Sequence, residues 1–326
     1  MTTSPALLTA AAAGDGEAFR QLADAHRHEL AVHCYRMLGS LDDAEDAVQE
    51  TMVKAWRGLA GFAGRSSLRA WLYRIATNVC LDLLDHRARR VLPAAIAEPA
   101  DPAVAPAPDD HDTPWLQPYP DALVDPAADP AAVAVRREHV ELAFVAAIQH
   151  LPARQRAILL LRDVLGYSAA EAADLLGSSP AAVHSGLQRA RATIDAGLPT
   201  AARHRPTGDV ADLVRRYVDA WHAAAIPALV ALLRHDAQMA MPPTPSWYAG
   251  RDAIATYLRQ LFSGPIGRSL RLRPTGANRQ PALAVYAADA PFAIKVLTVD
   301  SDRVIAITGF VTPHLFPAFG LPDRPL

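Results

Sequence analysis

Residues 151–194 read LPARQRAILLLRDVLGYSAAEAADLLGSSPAAVHSGLQRARATI, and this stretch decides how the middle of the chain folds. Leu151-Pro152 opens a helix expected over Ala153–Val164, and Gly166-Tyr167 breaks it. Ser168 and Glu171 stand three apart as a capping box, each side chain satisfying a backbone donor that the helix start leaves orphaned. A short helix follows to Leu176, then a Gly177-Ser178 turn. Ser179 caps the next helix, and Pro180 takes its first position, where a missing N–H costs nothing. That helix, Pro180 to about Ile194, turns Val183, Leu187, Ala190 and Ile194 inward. It presents Ala181, His184, Ser185 and Gln188 outward, with Arg189 and Arg191 further along. Helix, tight turn, then a helix that starts small and polar and later carries arginines is the helix-turn-helix pattern of major-groove readers. The competing reading is an ordinary helical hairpin.

Upstream, residues 1–90 read as helices. Gly39 ends one run, and Ser40 can cap the next, with Asp42, Asp43 and Glu45 in its first turn against the helix dipole. Val48, Met52, Ala55 and Trp56 fall at helical spacing as a core stripe, while Asp46, Glu50, Lys54 and Arg57 form the other face. A glycine- and serine-rich loop, Gly61–Ser66, leads to Ser67, a cap for a helix expected to reach about Arg90. Leu68, Leu72, Ile75, Val79 and Leu83 make its buried stripe, whereas Trp71, Arg74, Asn78 and Asp82 share a different face. An aromatic beside an arginine and an asparagine suits stacking and phosphate contacts with single-stranded DNA; Phe62, Arg65 and Arg69, with Arg87, Arg89 and Arg90 at the far end, fit that use. The bland alternative makes Trp71 a core edge and Arg74 a solvated charge.

The chain has 326 residues, 51% apolar and 20% charged, enough for two or three domains. A net charge of −2 hides an uneven spread. Residues 91–135 carry no Lys or Arg and 8 Asp or Glu, while 136–205 carry 9 basic against 6 acidic and 206–326 carry 12 against 9. Ten of the 27 prolines lie in 91–130. Proline blocks helix and ladder bonds and like charges repel, so 91–135 is expected to be an extended acidic linker. Its apolar island, Trp115–Pro120, is costly in water unless it docks. A second break falls near Pro199–Pro206. Two cysteines, Cys34 and Cys80, without a CxxC pattern argue against a disulfide scaffold and a zinc site, and no metal or cofactor is expected. No apolar run approaches membrane-spanning length and no secretory leader opens the chain, so a cytoplasmic protein is expected.

Residues 207–326 change character. Helices are expected over Val210–Ala224, Pro227–Leu233 and Arg251–Phe262. Strand-like runs follow at Leu270–Arg273, Ala282–Ala287, Phe292–Val299 and Val304–Val311, the last two joined by an Asp300-Ser301-Asp302 turn. Helices followed by a meander imply a small α+β cone. Asp236, Trp247 and Tyr248, with His235, are candidates for a pocket there, but no Asp–His pair at a telling spacing emerges and catalysis is not expected. The organisation is therefore 1–90, 91–135, 136–200 and 207–326: two all-α blocks about a linker, then an α+β cone.

Asp43–Thr51 (DAEDAVQET) and Phe62…Ser66–Asn78 resemble the promoter-melting domain of extracytoplasmic-function (ECF) sigma factors. Residues 151–191 are similar to their C-terminal helix-turn-helix domain; Trp115–Asp121, Pro242–Arg251 and Phe319–Pro322 resemble the subgroup with a fused SnoaL-like domain. The resemblance implies a non-catalytic bacterial transcription-initiation protein whose partners are core RNA polymerase and promoter DNA, duplex and melted. Polymerase binding is implied for Asp43, Asp46, Gln49, Glu50, Lys54 and Arg57. Minus-ten recognition is implied for Phe62, Arg65, Ser67, Arg69, Trp71, Arg74 and Asn78. Minus-thirty-five reading is implied for Ser179, Ala181, His184, Ser185, Gln188, Arg189 and Arg191, with His184 where such helices often carry Asn. The fused domain is implied to regulate the sigma factor. The competing expectations are a SnoaL-like enzyme, of cyclase or isomerase type, fused to DNA-binding blocks, and a duplex-only regulator, which would not need the Trp71/Arg74/Asn78 face.

Overall fold

Helix α1 covers Pro5–Ala12, α2 Gly16–Leu38, α3 Leu41–Gly58 and α4 Leu68–Leu84 in the computed structural model, which describes residues 5–62, 64, 66–124, 140–197 and 209–325. Local chemistry fixes their ends. The Asp15 carboxylate accepts from the Glu17 and Ala18 N–H groups at the start of α2. Gly39, at φ 72, stops α2 in the left-handed conformation that a side chain disfavours, and Ser40 caps α3 by accepting from Asp43 N–H. Helices α2, α3 and α4 pack together, and Leu30, Cys34 and Tyr35 of α2, Val48, Met52 and Ala55 of α3 and Leu72, Ala76 and Cys80 of α4 are all buried. Trp56 departs from the expected stripe: it is 39% exposed and lies 5.1 Å from the Phe19 ring. Helix α4 also stops six residues short of the expected end. The residues after Leu84 are polar and exposed, so no apolar face pulls further turns onto the core, and Arg87 instead reaches back to Asp43.

The described chain divides into two units. The first combines Met1–Arg89 with Leu123–Val140 and Phe144–Gly197. Its second half holds most of α5 (Leu142–Ile148), then α6 (Ala153–Leu159), whose last turn continues with π-type bonding through Val164, α7 (Ala169–Leu175) and α8 (Pro180–Gly197). The Ser168/Glu171 capping box forms as the spacing requires. Gly186 lets α8 cross α6 closely, since a Cβ there would stand 2.5 Å from Ile158 Cδ1. Arg156 joins the halves of this unit. Buried to 3% exposure, its guanidinium donates to Met37 O at the end of α2, to Gln149 O at 2.9 Å and to Leu151 O at 3.2 Å. Gln149 Nε2 donates to Arg36 O at 3.1 Å. Carbonyls at a helix C-terminus lack partners and carry partial negative charge, so a cation suits the place. Burial lowers the Arg156 pKa to about 10, which leaves it charged at neutral pH.

The second unit comprises Arg90–Ala122, Glu141–Ala143 and Leu198–Leu326. Helices α9 (Val210–His222), α10 (Ile226–Ala231), α11 (Arg251–Ser263) and α12 (Pro265–Ser269) accompany strands β1 (Leu233–Ala240), β2 (Trp247–Ala249), β3 (Leu270–Ala277), β4 (Gln280–Ala287), β5 (Ala290–Asp300) and β6 (Arg303–Phe310). The sheet order is β2-β1-β6-β5-β4-β3, with β1 parallel to β6 and every other pair antiparallel. Tyr217, Trp221, Leu258 and Phe262 pack with Leu283, Val285, Leu297 and Ile307 as one core. The meander β3–β6 falls on the expected strand-like runs, with β4 to β6 buried along most of their length; β1 and β2 had no counterpart in the sequence reading.

Residues 90–122 differ from a solvated linker. Val91 pairs with Trp115 as a parallel bridge, and Pro120 pairs with Ala277 at the end of β3. Tyr119 N–H donates to Asn278 Oδ1 at 2.9 Å, and Asn278 N–H returns a bond to Tyr119 O at 2.8 Å. Ala100 N–H donates to Trp247 O at 2.7 Å, and Trp247 Nε1 to Ala97 O at 2.8 Å. Leu116 and Tyr119 are fully buried. A proline-rich segment makes little ladder of its own, here a single bridge, and its other carbonyls and N–H groups can be satisfied by a neighbouring surface. The rest of the expected linker, 125–135, and the Pro199–Pro206 break lie outside the described residues.

Candidate nucleic-acid interface

Four residues of the first unit form a basic, aromatic hollow. Trp71, Arg74 and Asn78, one helical face of α4, line a cavity of about 490 Å³ together with Lys54 of α3 and the turn glycines Gly58 and Gly61. No lining residue is acidic. Trp71 is only 9% exposed and forms a wall rather than an open platform. Its ring meets Phe62 at 5.1 Å, and a Cβ on Gly58 would stand 3.3 Å from its indole. Arg74 and Asn78 are exposed. Lys54, grouped by sequence with the polymerase-facing residues, sits 3.6 Å from Glu50 and 3.7 Å from Asp82 at the hollow's side. Gly58 and the position of Lys54 escaped the sequence reading; a glycine closing a helix opposite a tryptophan was the available signal.

The other expected minus-ten residues part from this group. Ser67 caps α4, accepting from Ala70 N–H at 3.1 Å. Arg69 points elsewhere: it pairs with Glu29 at 2.7 Å, and its guanidinium lies 4.7 Å from the Tyr73 ring and 6.0 Å from that of Tyr167. Burial alone would raise the Glu29 carboxyl, but hydrogen bonding from His26 and the Arg69 charge hold it below its ordinary value. Arg69 is thus committed to holding Tyr167, at the break before α7, against α4. Arg65 lies outside the described residues.

On α3, Asp46, Gln49, Glu50, Lys54 and Arg57 are exposed together, and Asp43 is engaged by Arg87. Buried Ala44, Ala47, Val48, Thr51 and Ala55 hold the opposite face. On α8, Ala181, His184, Ser185, Gln188, Arg189 and Arg191 are all exposed, while Val183, Leu187 and Ala190 are buried. Ser179 Oγ accepts from Ala182 N–H at 3.2 Å and acts as the cap. Arg191 differs from a free phosphate donor: it grips Asp163 with two bonds, 2.7 and 2.9 Å. Ile194 is half-buried rather than core.

The candidate cone pocket does not assemble. Asp236 is exposed, clasped by Arg234, whose hydrogen bonds hold its carboxyl below the ordinary value. His235 is exposed as well. Trp247 is committed to the 97–100 segment, and Tyr248 points into the core, stacked on Tyr257 at 4.6 Å. Along strands β1 and β2 alternate residues face opposite sides, which separates residues that are close in sequence.

Comparison with known proteins agrees with this architecture. Residues 22–90 match Sigma-70 region 2, 141–194 match Sigma-70, region 4, and 214–312 match the SnoaL-like domain. The ECF RNA polymerase sigma factor SigG of Mycobacterium tuberculosis is 47% identical over 305 residues, spanning 91% of this chain and 82% of that protein. SigJ of the same organism is 26% identical over 316 residues, 92% and 94% of the two chains. The crystal structure of M. tuberculosis SigJ shares the fold, with a TM-score of 0.62 and 23% identity over 94% of this chain and 99% of that one. The two sigma regions in order, the third domain after them and the extent of identity to SigG together make the chain a member of the ECF RNA polymerase sigma factors, one that carries a C-terminal SnoaL-like domain.

Proposed function

We propose that this sigma factor binds core RNA polymerase through the exposed face of α3 (Asp46, Gln49, Glu50 and Arg57) and acts with it in the cytoplasm. The hollow of Trp71, Arg74, Asn78 and Lys54 receives an unpaired base of the melted minus-ten element. The observation that carries this reading is the convergence of an aromatic wall, an amide and two cations on one cavity with no acidic residue in its lining, Lys54 being paired with Glu50 and Asp82 at its side. A flipped base needs a stacking surface and hydrogen-bonding edges, and its phosphates need positive charge. The exposed face of α8 reads the minus-thirty-five duplex, with Gln188 and His184 at base edges. No helix of the described residues is long and apolar enough to cross a membrane.

The SnoaL-like domain regulates rather than catalyses in this reading. It holds residues 90–122, the beginning of the chain between the two promoter-reading blocks, and so biases the arrangement those blocks can adopt. Such a bias requires only a few kcal/mol of differential contact.

The test is open-complex formation with purified core polymerase. Trp71 packs on Gly58 and Phe62, so its truncation would disturb the fold; Asn78→Ala and Arg74→Ala alter exposed groups only. Each is expected to lower open-complex stability by about 1–2 kcal/mol, the scale of one polar contact to a charged or buried partner, with core binding unchanged. Permanganate reactivity of the melted strand equal to the parent's in both variants would remove the hollow from promoter opening.

A further inference from the structure

Where α9 and α11 end, at His222 and Ser263, the second unit encloses a hollow of about 540 Å³. Its floor is apolar: Trp221 and Phe262, with ring centroids 5.0 Å apart, and Leu270. Its rim is cationic, made of Arg259, Arg268 and Arg271, and none of the residues around it is acidic. The arginines' hydrogen bonds go to neutral oxygens: Arg259 to Thr256 Oγ1 at 3.5 Å, Arg268 to Phe262 O at 3.1 Å and Arg271 to Arg268 O at 3.1 Å. These bonds orient the guanidinium groups without neutralising them. His222 Nε2 accepts from Leu272 N–H at 3.1 Å, which puts its proton on Nδ1.

Three solvated arginines beside an apolar dent could be an ordinary surface. Two further observations separate this place from one. Trp221, buried to 2%, has an indole Nε1–H with no hydrogen-bond partner among the described residues. Lys295 Nζ, from β5, lies 3.6 Å from the centroid of the same indole. The same indole thus lines the hollow and packs against the amine of a buried lysine. Converging like charge without a carboxylate is unfavourable in the empty protein and favourable to an anion.

We propose that this hollow binds an amphipathic carboxylate: a small molecule whose apolar body lies on Trp221 and Phe262 and whose carboxylate sits among Arg259, Arg268 and Arg271, within reach of the His222 Nδ1–H. The volume falls in the range of small-molecule sites, and guanidinium groups match a carboxylate's two oxygens. The binding itself does not depend on the polymerase reading above.

The experiment is calorimetric titration of the full chain with decanoate, decanol and inorganic phosphate, repeated on R268Q/R271Q, whose altered side chains are exposed. Decanoate is expected to bind with a single site per chain, at least tenfold more tightly than either decanol or phosphate. The double substitution is expected to weaken decanoate at least tenfold, with decanol binding and the thermal midpoint unchanged. Absence of decanoate binding overturns the proposal. So does decanol binding as tightly, which would leave the arginines without a role, or phosphate binding as tightly, which would leave the apolar floor without one. Duplex DNA affinity that falls on R268Q/R271Q while decanoate stays silent would reassign the arginines to a nucleic-acid backbone.

Discussion

Tyr119→Ala isolates the docking of residues 90–122 on the C-terminal domain. Tyr119 is fully buried, and its backbone exchanges two hydrogen bonds with Asn278, at 2.9 and 2.8 Å. Asn278 and Arg279, at φ 56 and 57, form the two-residue turn between β3 and β4, so the docked strand grips a rigid corner. Truncating a large buried aromatic side chain to Ala costs about 3–5 kcal/mol. If the docked segment opens locally, that whole cost appears as easier opening, which at 1.4 kcal/mol per factor of ten is roughly a hundredfold to several thousandfold. Amide hydrogen exchange of the full chain reads this directly. The Asn278 amide, whose acceptor is Tyr119 O, and the Leu116 amide, whose acceptor is Val91 O, should exchange faster by that factor. Amides of the β5–β6 pair, from Leu297 to Ile307, should keep parental protection. Unchanged protection at Asn278 would refute the docking argument. Equal loss across β5–β6 would refute its local character and make Tyr119 part of the domain's cooperative core.

His33, fully buried with Nε2 2.9 Å from Thr77 Oγ1, is held to a pKa of about 3 by burial and then by the Arg36 and Arg69 charges. Its native form resists protonation that the unfolded form accepts below about 6.5, so stability is lost as pH falls through that window. Between pH 7.5 and 5 the parent should lose about 2 kcal/mol more than His33→Gln in urea unfolding, and parallel pH profiles would exclude this cause. Lys295 is lowered from 10.5 to about 7 by burial alone, so unfolding takes up a proton between those values and stability declines as pH drops from 10.5 to 7. Lys295→Met should therefore raise neutral-pH stability by about 1 kcal/mol or more, with the gain fading above pH 10; a destabilised variant would show that the contact with Trp221 outweighs desolvation. On α8, Gln188→Ala should reorder promoter preference, whereas Arg189→Gln should weaken all promoters alike and reduce the salt slope by about one. In competitive promoter selection, an unchanged ranking for Gln188 variants would remove it from base readout.

What the sequence determined by itself were the features encoded over a few residues. The Ser168/Glu171 box, Gly39 with Ser40, and Ser179 with Pro180 punctuate helices because caps and turns act on the nearest backbone groups. The reading face of α8 was legible because a helix of known register turns fixed positions outward, and the β3–β6 meander because apolar, β-branched runs bounded by turn residues mark strands. Tertiary structure alone decided whatever depends on partners distant in the chain. That Arg69 pairs with Glu29, 40 residues away, and Arg191 with Asp163 could not be read from either sequence neighbourhood. Lys54 joined the Trp71 hollow because α3 and α4 cross there, which no spacing along either helix reveals. Strand β1 was missed because its pairing is parallel, with β6, some 70 residues later, and its own residues carry a mixed polar pattern. The acidic, proline-rich segment shows the same limit most plainly. Its composition disfavours long helices and extended ladders, and that much was written in it; that Val91 and Trp115 bridge within the segment and that Asn278, Trp247 and Ser246 supply further partners was not. Composition fixes what a segment cannot do alone, and long-range hydrogen bonds and burial fix what it does in company.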